Sequence, residues 1–336
     1  MFSIIYFLLY KVRLLLYSVK ILKKNKLSVP IISIGNLTCG GTGKTPTTIE
    51  LGKYLLNKGY KVGIISRGYK RNHNKFDINK NILVSDGHEI LVDYEICGDE
   101  PYLIANKLPK AIVVVNNNKL KACEASIKLG ANILILDDGY QYIKLIREND
   151  IVIIDSQKPI DNGYLLPLGL LREPIEEVKR ATGIILSNCN DPKNISERLE
   201  RLKPYIDGKP IISMFYKIVN LKALNIIKNI SCNNFNEKVI IVSGIGNPGS
   251  FIQSIKEAKI NAVKSIEYQD HYNYTFEDMK DILETAQKYN VEDVLTTEKD
   301  SIKIVDLCQA LPLTFWACET ELCFNTEDPF ERLIKL

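Results

Sequence analysis

Short runs rich in isoleucine and valine alternate with helical stretches from residue 30 to about residue 215. The predicted strands, several of them apolar throughout, span residues 31–34, 61–66, 111–115, 132–137, 151–155, 182–187 and 210–215. Helices are predicted over residues 44–58, 100–107, 117–129 and 173–179. Strands that are apolar on both faces and alternate with helices favour a mostly parallel, doubly wound sheet. The pattern predicts an α/β fold whose ligands bind at the carboxyl ends of the strands.

The same rhythm resumes after an asparagine-rich stretch and predicts a second, smaller α/β domain. Its strands are expected at 238–243, 262–267, 292–296 and 313–317, and its helices at 248–258 and 275–288. The chain is therefore divided into an N-terminal helix at 1–26, a core domain at 27–216, a linker with one or two strands at 217–237 and the smaller domain at 238–336.

The segment 31–45, IISIGNLTCGGTGKT, is a short strand followed by a glycine-rich turn and the start of a helix. In a phosphate-binding loop, glycines let successive N–H groups converge on phosphate oxygens, a lysine reaches the β- and γ-phosphates, and the next hydroxyl binds Mg²⁺. The loop residues are Gly40, Gly41, Thr42, Gly43, Lys44 and Thr45. Thr38 replaces the usual first glycine, so the loop is closer to the GGxGKT type of some ATPases and kinases. It predicts a P-loop NTPase-like core that binds a nucleotide with Mg²⁺.

Two acidic motifs follow predicted strands or precede helices. LILDDGYQY sets Asp137 and Asp138 at the end of an apolar strand, where a carboxylate holds Mg²⁺ directly or through water. A solvated turn is the plainer interpretation. CGDEP sets Asp99 before Pro101 at a predicted helix start. Asp99 either caps this helix or orients and deprotonates an acceptor hydroxyl.

Other polar groups are also predicted at strand ends or in loops. In YQDHYNYT, His271 is either a solvated loop histidine or, with Asp270, a group that assists a base. Arg67 in SRGYKR, and Arg172 and Glu173 in LPLGLLREP, are weaker candidates for substrate or phosphate contacts. Lys299 in TTEKD does not form the guanine-reading NKxD motif, so the sequence gives no support to GTP.

Composition narrows the class of protein further. The net charge of +4 is too small to indicate a nucleic-acid-binding protein. Eight cysteines are scattered without a CxxC pair, which favours a reducing compartment.

Residues 1–26 are apolar but interrupted by Lys11, Arg13 and Lys20. Their longest uncharged run, of ten residues, is too short to span a bilayer. This segment is either an interfacial membrane helix or a helix packed on the protein's own core.

Taken together, the ordered motifs resemble one family, the tetraacyldisaccharide 4′-kinases of lipid A synthesis. The resemblance runs through GNLTCGGTGKTP, SRGYK, GDEP, LDDGYQY, LPLGLLREP, SGIGNPGSF, DHYNYT and LTTEKD. It implies ATP and Mg²⁺ as cofactors and an acylated glucosamine disaccharide 1-phosphate as the acceptor of the phosphoryl group. It also implies attachment through the N-terminal helix to the cytoplasmic face of the bacterial inner membrane, as a peripheral or monotopic protein.

Carried onto this chain, the resemblance implies a role for each matched residue. Lys44 and Thr45 hold phosphates and metal, and Asp137 and Asp138 serve the metal and the γ-phosphate. Asp99 is the expected base, assisted by His271, and Arg172 and Glu173 fall at functional positions. Tyr142 and Tyr272 stand where many members have histidine, which affects expected substrate contacts more than the reaction.

Two other classes of function share the phosphate loop. A partner-switching ATPase often has an extra lysine early in this loop, which Leu37, Thr38 and Cys39 do not supply. The second class is a membrane-surface scaffold with a vestigial nucleotide site. ATP consumption that depends on a lipid acceptor distinguishes the kinase from both.

Overall fold

The structure is a computed structural model that describes residues 2–68, 80–189 and 195–336. The chain forms two compact units. The first contains residues 1–215 together with 324–336, and the second contains residues 216–323. Both are α/β, as the alternating pattern predicts.

The sheet of the first unit has the order β8-β7-β6-β1-β5-β2-β4-β3. Its strands are β1 (Ile31–Asn36), β2 (Val62–Ser66), β3 (Ile82–Asp86), β4 (Ile112–Val115), β5 (Ile133–Leu136), β6 (Asn149–Asp155), β7 (Gly183–Ser187) and the beginning of β8 (Ile211–Ala223). All neighbours are parallel except β3, which pairs antiparallel with β4. The predicted parallel sheet is confirmed, whereas the edge strand β3 was not predicted.

Helices cover the sheet of this unit. They are α1 (Phe2–Ser18), α2 (Lys44–Asn57), α3 (Tyr94–Cys97), α4 (Asp99–Lys107), α5 (Lys119–Lys128), α6 (Ile195–Arg198) and α7 (Lys203–Ile206). The helix expected at 173–179 is instead a 3₁₀ helix, Ile175–Arg180, that follows Pro174. No helix among the described residues combines the length and the apolar character needed to cross a membrane.

The second unit is smaller. The end of β8 pairs antiparallel with β9 (Asn229–Ser231), and a 3₁₀ helix follows at Cys232–Asn234. Four parallel strands have the order β11-β10-β12-β13, with β10 (Lys238–Ser243), β11 (Asn261–Glu267), β12 (Asp293–Thr297) and β13 (Thr314–Phe324). The helices are α8 (Pro248–Glu257), α9 (Phe276–Tyr289) and α10 (Glu298–Ile304). Thr275 and Asp278 form a reciprocal capping box that fixes the start of α9.

The last residues of the chain pack in the first unit, although the sequence-based division grouped them with the smaller domain. They include α11 (Pro329–Leu333). The ring centroids of Phe330 on α11 and Tyr54 on α2 are 5.5 Å apart. Asn149 exchanges two hydrogen bonds with the backbone of Lys335, at 3.0 and 3.1 Å. Burial of Phe330 and Leu333 supplies the hydrophobic free energy that holds this segment.

Candidate functional site

The glycine-rich loop joins β1 to the first residue of α2. Gly40 and Gly43 have φ values of 116° and 92°, in the region that favours glycine. Gly43 precedes Lys44, the first residue of α2, so the loop ends at the N-terminus of a 14-residue helix. Gly41 lies between these turns, and Thr42 and Thr45 are both buried. Free N–H groups and the helix dipole make such a terminus suited to an anion.

Lys44 is held by polar groups at the end of β1 and after β5. Its Nζ donates to Asn36 Oδ1 at 3.3 Å and lies 3.8 Å from Asp138 Oδ1. Asn36 in turn donates from Nδ2 to the hydroxyl of Thr42 at 2.9 Å. The loop lysine is therefore oriented by side chains from two parallel strands that end at the same edge of the sheet.

Asp137 is buried directly after β5. Its carboxylate accepts from the Thr48 hydroxyl of α2 at 3.3 Å and from the Ser66 hydroxyl of β2 at 3.2 Å. Burial, with a further contribution from the charge of Glu100, raises the pKa of Asp137 to about 6. A positive charge brought to this carboxylate would favour its ionised form.

Lys119 is a buried cation beside the same turn. Its Nζ donates to the backbone carbonyl of Asp137. Burial lowers the pKa of Lys119, although the nearby charges of Asp137 and Asp138 oppose this effect. Sequence reasoning did not identify this residue, because a lysine at a helix start reads as solvent-exposed.

Asp138 pairs with Arg172. The Nη1 of Arg172 lies 2.9 Å from Oδ1 and 2.8 Å from Oδ2 of Asp138. Burial alone would raise the pKa of Asp138, but Lys44 and Arg172 outweigh it and lower the pKa to about 2. Asp138 has a φ of 48°, a left-handed conformation that is uncommon outside glycine and recurs at functional sites.

Glu173 is directed into a different set of contacts from its neighbour Arg172. It is 2% exposed and pairs with Arg180, whose guanidinium lies 4.5 Å from the ring centroid of Tyr140. Burial raises the pKa of Glu173 to about 7. This geometry suits a structural role beneath α1 at least as well as a contact with phosphate.

Asp99 and Arg67 lie in the same unit on other elements. Asp99 is buried at the first position of α4, where its carboxylate accepts from the N–H of Glu100 at 3.0 Å. Arg67 is exposed directly after β2, and its charge acts on Lys119. The last three residues of its motif, Tyr69, Lys70 and Arg71, lie outside the described residues.

The second unit contains a separate charged cluster. Nε2 of His271 lies 3.2 Å from Nζ of Lys299 and 3.9 Å from Asp270 Oδ2, and Lys299 also contacts Asp270 Oδ1 at 3.3 Å. The backbone N–H of His271, which has a φ of 62°, donates to the carbonyl of Gly244 at 3.1 Å. The DH, SGIG and TEKD motifs thus meet at one end of this sheet.

The two tyrosines noted at histidine positions make local hydrogen bonds. Tyr142 donates to Asn118 Oδ1 at 3.0 Å, and Tyr272 donates to Asp278 Oδ1 at 3.1 Å.

Sequence reasoning also missed Asn36, Thr48 and Ser66. Of these three residues, only Asn36 could have been identified from the sequence, because it lies at the end of a predicted strand and directly before the loop. Among the described residues, no group of three or more His, Cys, Asp or Glu side chains could hold a metal ion.

Comparisons with known proteins agree on one family. The family model for the tetraacyldisaccharide-1-P 4′-kinases matches residues 1–336. A tetraacyldisaccharide 4′-kinase of Halothermothrix orenii is 35% identical over 312 residues, which cover 89% of this chain and 80% of that protein. One from Pelobacter propionicus is 32% identical over 308 residues, covering 91% of this chain and 82% of the relative.

A solved structure is similar over nearly the whole length. It is the crystal structure of an "apo" form of LpxK from Aquifex aeolicus in complex with ATP. The TM-score is 0.74 at 32% sequence identity, and the match covers 99% of this chain and 96% of that one.

Proposed function

The chain belongs to the tetraacyldisaccharide-1-P 4′-kinase family, and we propose from this premise that it transfers the γ-phosphoryl group of ATP to the 4′-hydroxyl of a tetraacyldisaccharide 1-phosphate. It is a kinase of lipid A biosynthesis with a P-loop that binds ATP. The observation that carries the proposal is Lys44, at the first position of α2, beside the paired Asp138 and Arg172. Phosphoryl transfer requires mainly positioning and charge stabilisation, and these groups supply both.

Lys44 and Arg172 are the cations proposed to stabilise charge on the transferred group. The anionic Asp138 contacts both side chains, Lys44 at 3.8 Å and Arg172 at 2.8 Å, and so orients them toward the loop. The loop N–H groups after Gly40 complete the phosphate cradle. Arg67, exposed at the end of β2, is proposed as a further phosphate or substrate contact.

Mg²⁺ is the proposed metal, held by Thr45, Asp137 and Asp138. The donor set fits, since Mg²⁺ in kinases usually takes one or two carboxylates, a hydroxyl and substrate phosphates. The raised pKa of the buried Asp137 fits too, because a cation would favour the carboxylate form. When bound, the metal would neutralise charge on phosphate oxygens. Asp137→Asn should raise the Mg²⁺ concentration needed for half-maximal activity, and an unchanged requirement would exclude Asp137 from the metal site.

Asp99 is the proposed general base for the acceptor hydroxyl. It is a buried carboxylate at the first position of α4, and a carboxylate can accept a proton from a hydroxyl during phosphoryl transfer. Asp99→Asn should lower kcat by ~10²–10⁴-fold. Asp93→Asn, an exposed neighbour on the preceding segment, is the matched control. Equal kcat in both variants would contradict the assignment.

His271 is proposed to assist the base. Its contacts with Asp270 and Lys299 give it neighbours of both charge signs. The test is the double variant Asp99→Asn, His271→Ala. If the two residues act on one proton transfer, its fold-decrease in kcat will be smaller than the product of the fold-decreases in the two single variants. Multiplicative losses would instead assign His271 to an independent role.

The N-terminal helix is proposed to attach the protein to the cytoplasmic face of the inner membrane, where the acyl chains of the acceptor lie. Most apolar residues of α1 are exposed, which is unusual for a helix in water. None of the eight cysteines, all of which lie among the described residues, forms a disulfide, as expected in a reducing compartment. Co-sedimentation with anionic vesicles of the full chain, but not of a variant with Leu8→Ser and Leu9→Ser, would support this role. Equal binding of both would oppose it.

The kinase reaction is tested by following label from [γ-³²P]ATP into lipid extracted after incubation with tetraacyldisaccharide 1-phosphate in micelles. Wild type and Lys53→Ala, an exposed lysine on the same helix, should label the lipid, whereas Lys44→Ala should not. ATP hydrolysis without labelled lipid would favour the ATPase alternative.

A further inference from the structure

Helix α1 turns Tyr6, Tyr10 and Arg13 toward the protein and most of its apolar side chains outward. Tyr6 donates from its hydroxyl to the carbonyl of Arg172 at 2.6 Å, and Arg13 donates to the carbonyl of Gln141 at 2.9 Å. Within Phe2–Ser18, only Tyr10 is buried. The outward residues, all at least 45% exposed, are Phe2, Ile4, Ile5, Leu8, Leu9, Val12 and Leu15. This orientation is the reverse of that expected for a helix packed on a core.

Residues 164–170 form a second exposed apolar element beside this helix. Tyr164, Leu168 and Leu170 are 57%, 64% and 42% exposed, and the sequence YLLPLGL carries no charge. The N–H of Leu168 donates to the hydroxyl of Ser3 at 3.2 Å, so the segment contacts the first turn of α1.

The segment is a built turn, so its exposed leucines do not result from fraying. The N–H groups of Leu168 and Gly169 both donate to the carbonyl of Leu165 at 3.1 Å, and Asn162 Nδ2 donates to the carbonyl of Leu168 at 3.1 Å. A Cβ on Gly169 would lie 2.2 Å from Asn162 Oδ1 and from the carbonyl oxygen of Tyr164. Close packing and satisfied backbone groups fix the direction in which the leucines point.

We propose that residues 164–170 are a second lipid-contacting element, which forms one lipid-facing surface with the outward side of α1. This surface is defined by the seven outward residues of α1 together with Tyr164, Leu168 and Leu170. Its occupant is a bilayer containing anionic lipid. The inference deepens the proposed function and rests on it, because an acceptor with acyl chains in a bilayer must be reached from its surface.

Charge supports this choice of occupant. Residues 2–26 contain six basic side chains and no acidic one, namely Lys11, Arg13, Lys20, Lys23, Lys24 and Lys26. Arg13 is directed toward the protein, but the five lysines are exposed and flank the apolar surface. Lysine near an anionic leaflet favours binding. A protein partner of the same apolar character would not require this excess of one charge sign.

The segment also links the lipid surface to the phosphate-loop site. Leu170 and Arg172 are two residues apart, so their Cα atoms are separated by at most ~7 Å. The guanidinium of Arg172 pairs with Asp138, and its carbonyl accepts from Tyr6. Lipid bound at Leu168 and Leu170 would therefore lie next to the groups proposed to act on the phosphate.

Tryptophan fluorescence tests the insertion directly. Trp316, the only tryptophan of the chain, is 2% exposed and gives a constant background. Leu168→Trp is compared with Leu9→Trp on α1 and with Leu129→Trp, an exposed position after α5. The vesicles contain two parts phosphatidylethanolamine and one part phosphatidylglycerol, with and without brominated acyl chains.

We expect vesicles to shift the emission of Leu168→Trp and Leu9→Trp to shorter wavelength, and brominated chains to quench both, with Leu129→Trp unaffected. Quenching of Leu9→Trp alone would overturn the proposal and leave α1 as the inserting element. No quenching at either position would overturn both the proposal and the proposed attachment of α1.

A second variant pair measures the contribution of the turn to binding. Leu168→Ser with Leu170→Ser should weaken vesicle binding about tenfold, because two apolar side chains no longer leave water. Leu91→Ser with Leu129→Ser, which changes leucines that are 43% and 47% exposed elsewhere in the chain, should bind as wild type. Equal binding of the two double variants, at matched thermal midpoints, would overturn the proposal. If no variant or wild type phosphorylates the lipid, the proposed function fails, but quenching and vesicle binding still decide the lipid surface.

Discussion

The contact between Arg172 and Asp138 gives the sharpest prediction for the candidate site. One guanidinium nitrogen of Arg172 lies within 2.9 Å of both carboxylate oxygens, and Lys44 approaches the same carboxylate at 3.8 Å. In Arg172→Ala, Lys44 remains to keep Asp138 ionised at neutral pH. The expected loss therefore comes from a missing cation and a freer carboxylate, not from protonation.

The exposure of the pair limits the size of this effect. Hydrogen bonds to charged groups contribute about 1.5–3 kcal/mol when buried. The side chains of Arg172 and Asp138 are 25% and 36% exposed, so solvent screening reduces the expected value to ~1–2 kcal/mol. If all of this free energy stabilises the transition state, kcat/KM falls ~5–30-fold.

Steady-state kinetics with ATP and lipid varied in turn measures this loss. Arg172→Lys keeps the positive charge but lacks the planar guanidinium fork. Its kcat/KM should therefore lie between those of wild type and Arg172→Ala. Arg198→Ala, which removes a hydrogen bond to Gln157 elsewhere in the same unit, is the control for general damage. Wild-type kcat and KM for both substrates in Arg172→Ala would refute the reasoning.

Two further predictions concern the turn and the buried acid. In Gly139→Ala, the new Cβ would lie 2.5 Å from Leu136 Cβ and 2.7 Å from Ser33 Oγ. We expect ~1–3 kcal/mol of lost stability and reduced kcat from a displaced Asp138, and an unchanged unfolding midpoint with full activity would contradict this. Glu173 has a pKa raised by burial from 4.5 to about 7, so the folded state binds its proton more tightly than the unfolded state. Wild type should lose up to about 3 kcal/mol relative to Glu173→Gln as the pH rises from 4.5 through 7. Parallel stability curves from denaturant unfolding across this range would show that Glu173 is not the titrating group.

The parts of the fold that were predictable from sequence are those specified by local pattern. The apolar runs predict the central parallel strands, and GGTGKT predicts the turn between β1 and α2. By contrast, β3 is a five-residue edge strand and carries only a weak signal. The docking of residues 324–336 on the first unit depends on long-range contacts of Phe330 and Asn149, which no local pattern encodes.

In the candidate site, too, local motifs predict some residues, whereas others depend on long-range packing. The loop, Asp137 and Asp138 follow from motifs at strand ends. Lys119 could not be predicted, because its burial depends on where the Asp137 turn lies in space. The inward direction of Tyr6 and Arg13 was also hidden, since the helical pattern of α1 does not show which face the protein covers.

The central claim is that this chain adds a phosphate to the 4′-hydroxyl of the acylated disaccharide. The most direct measurement is a proton–phosphorus NMR correlation on the lipid product, isolated after turnover with ATP and Mg²⁺. The account predicts two phosphate monoesters, one at position 1 and a new one coupled to the proton on carbon 4′. A pyrophosphate at position 1, a phosphate on another hydroxyl or an unmodified lipid would contradict it.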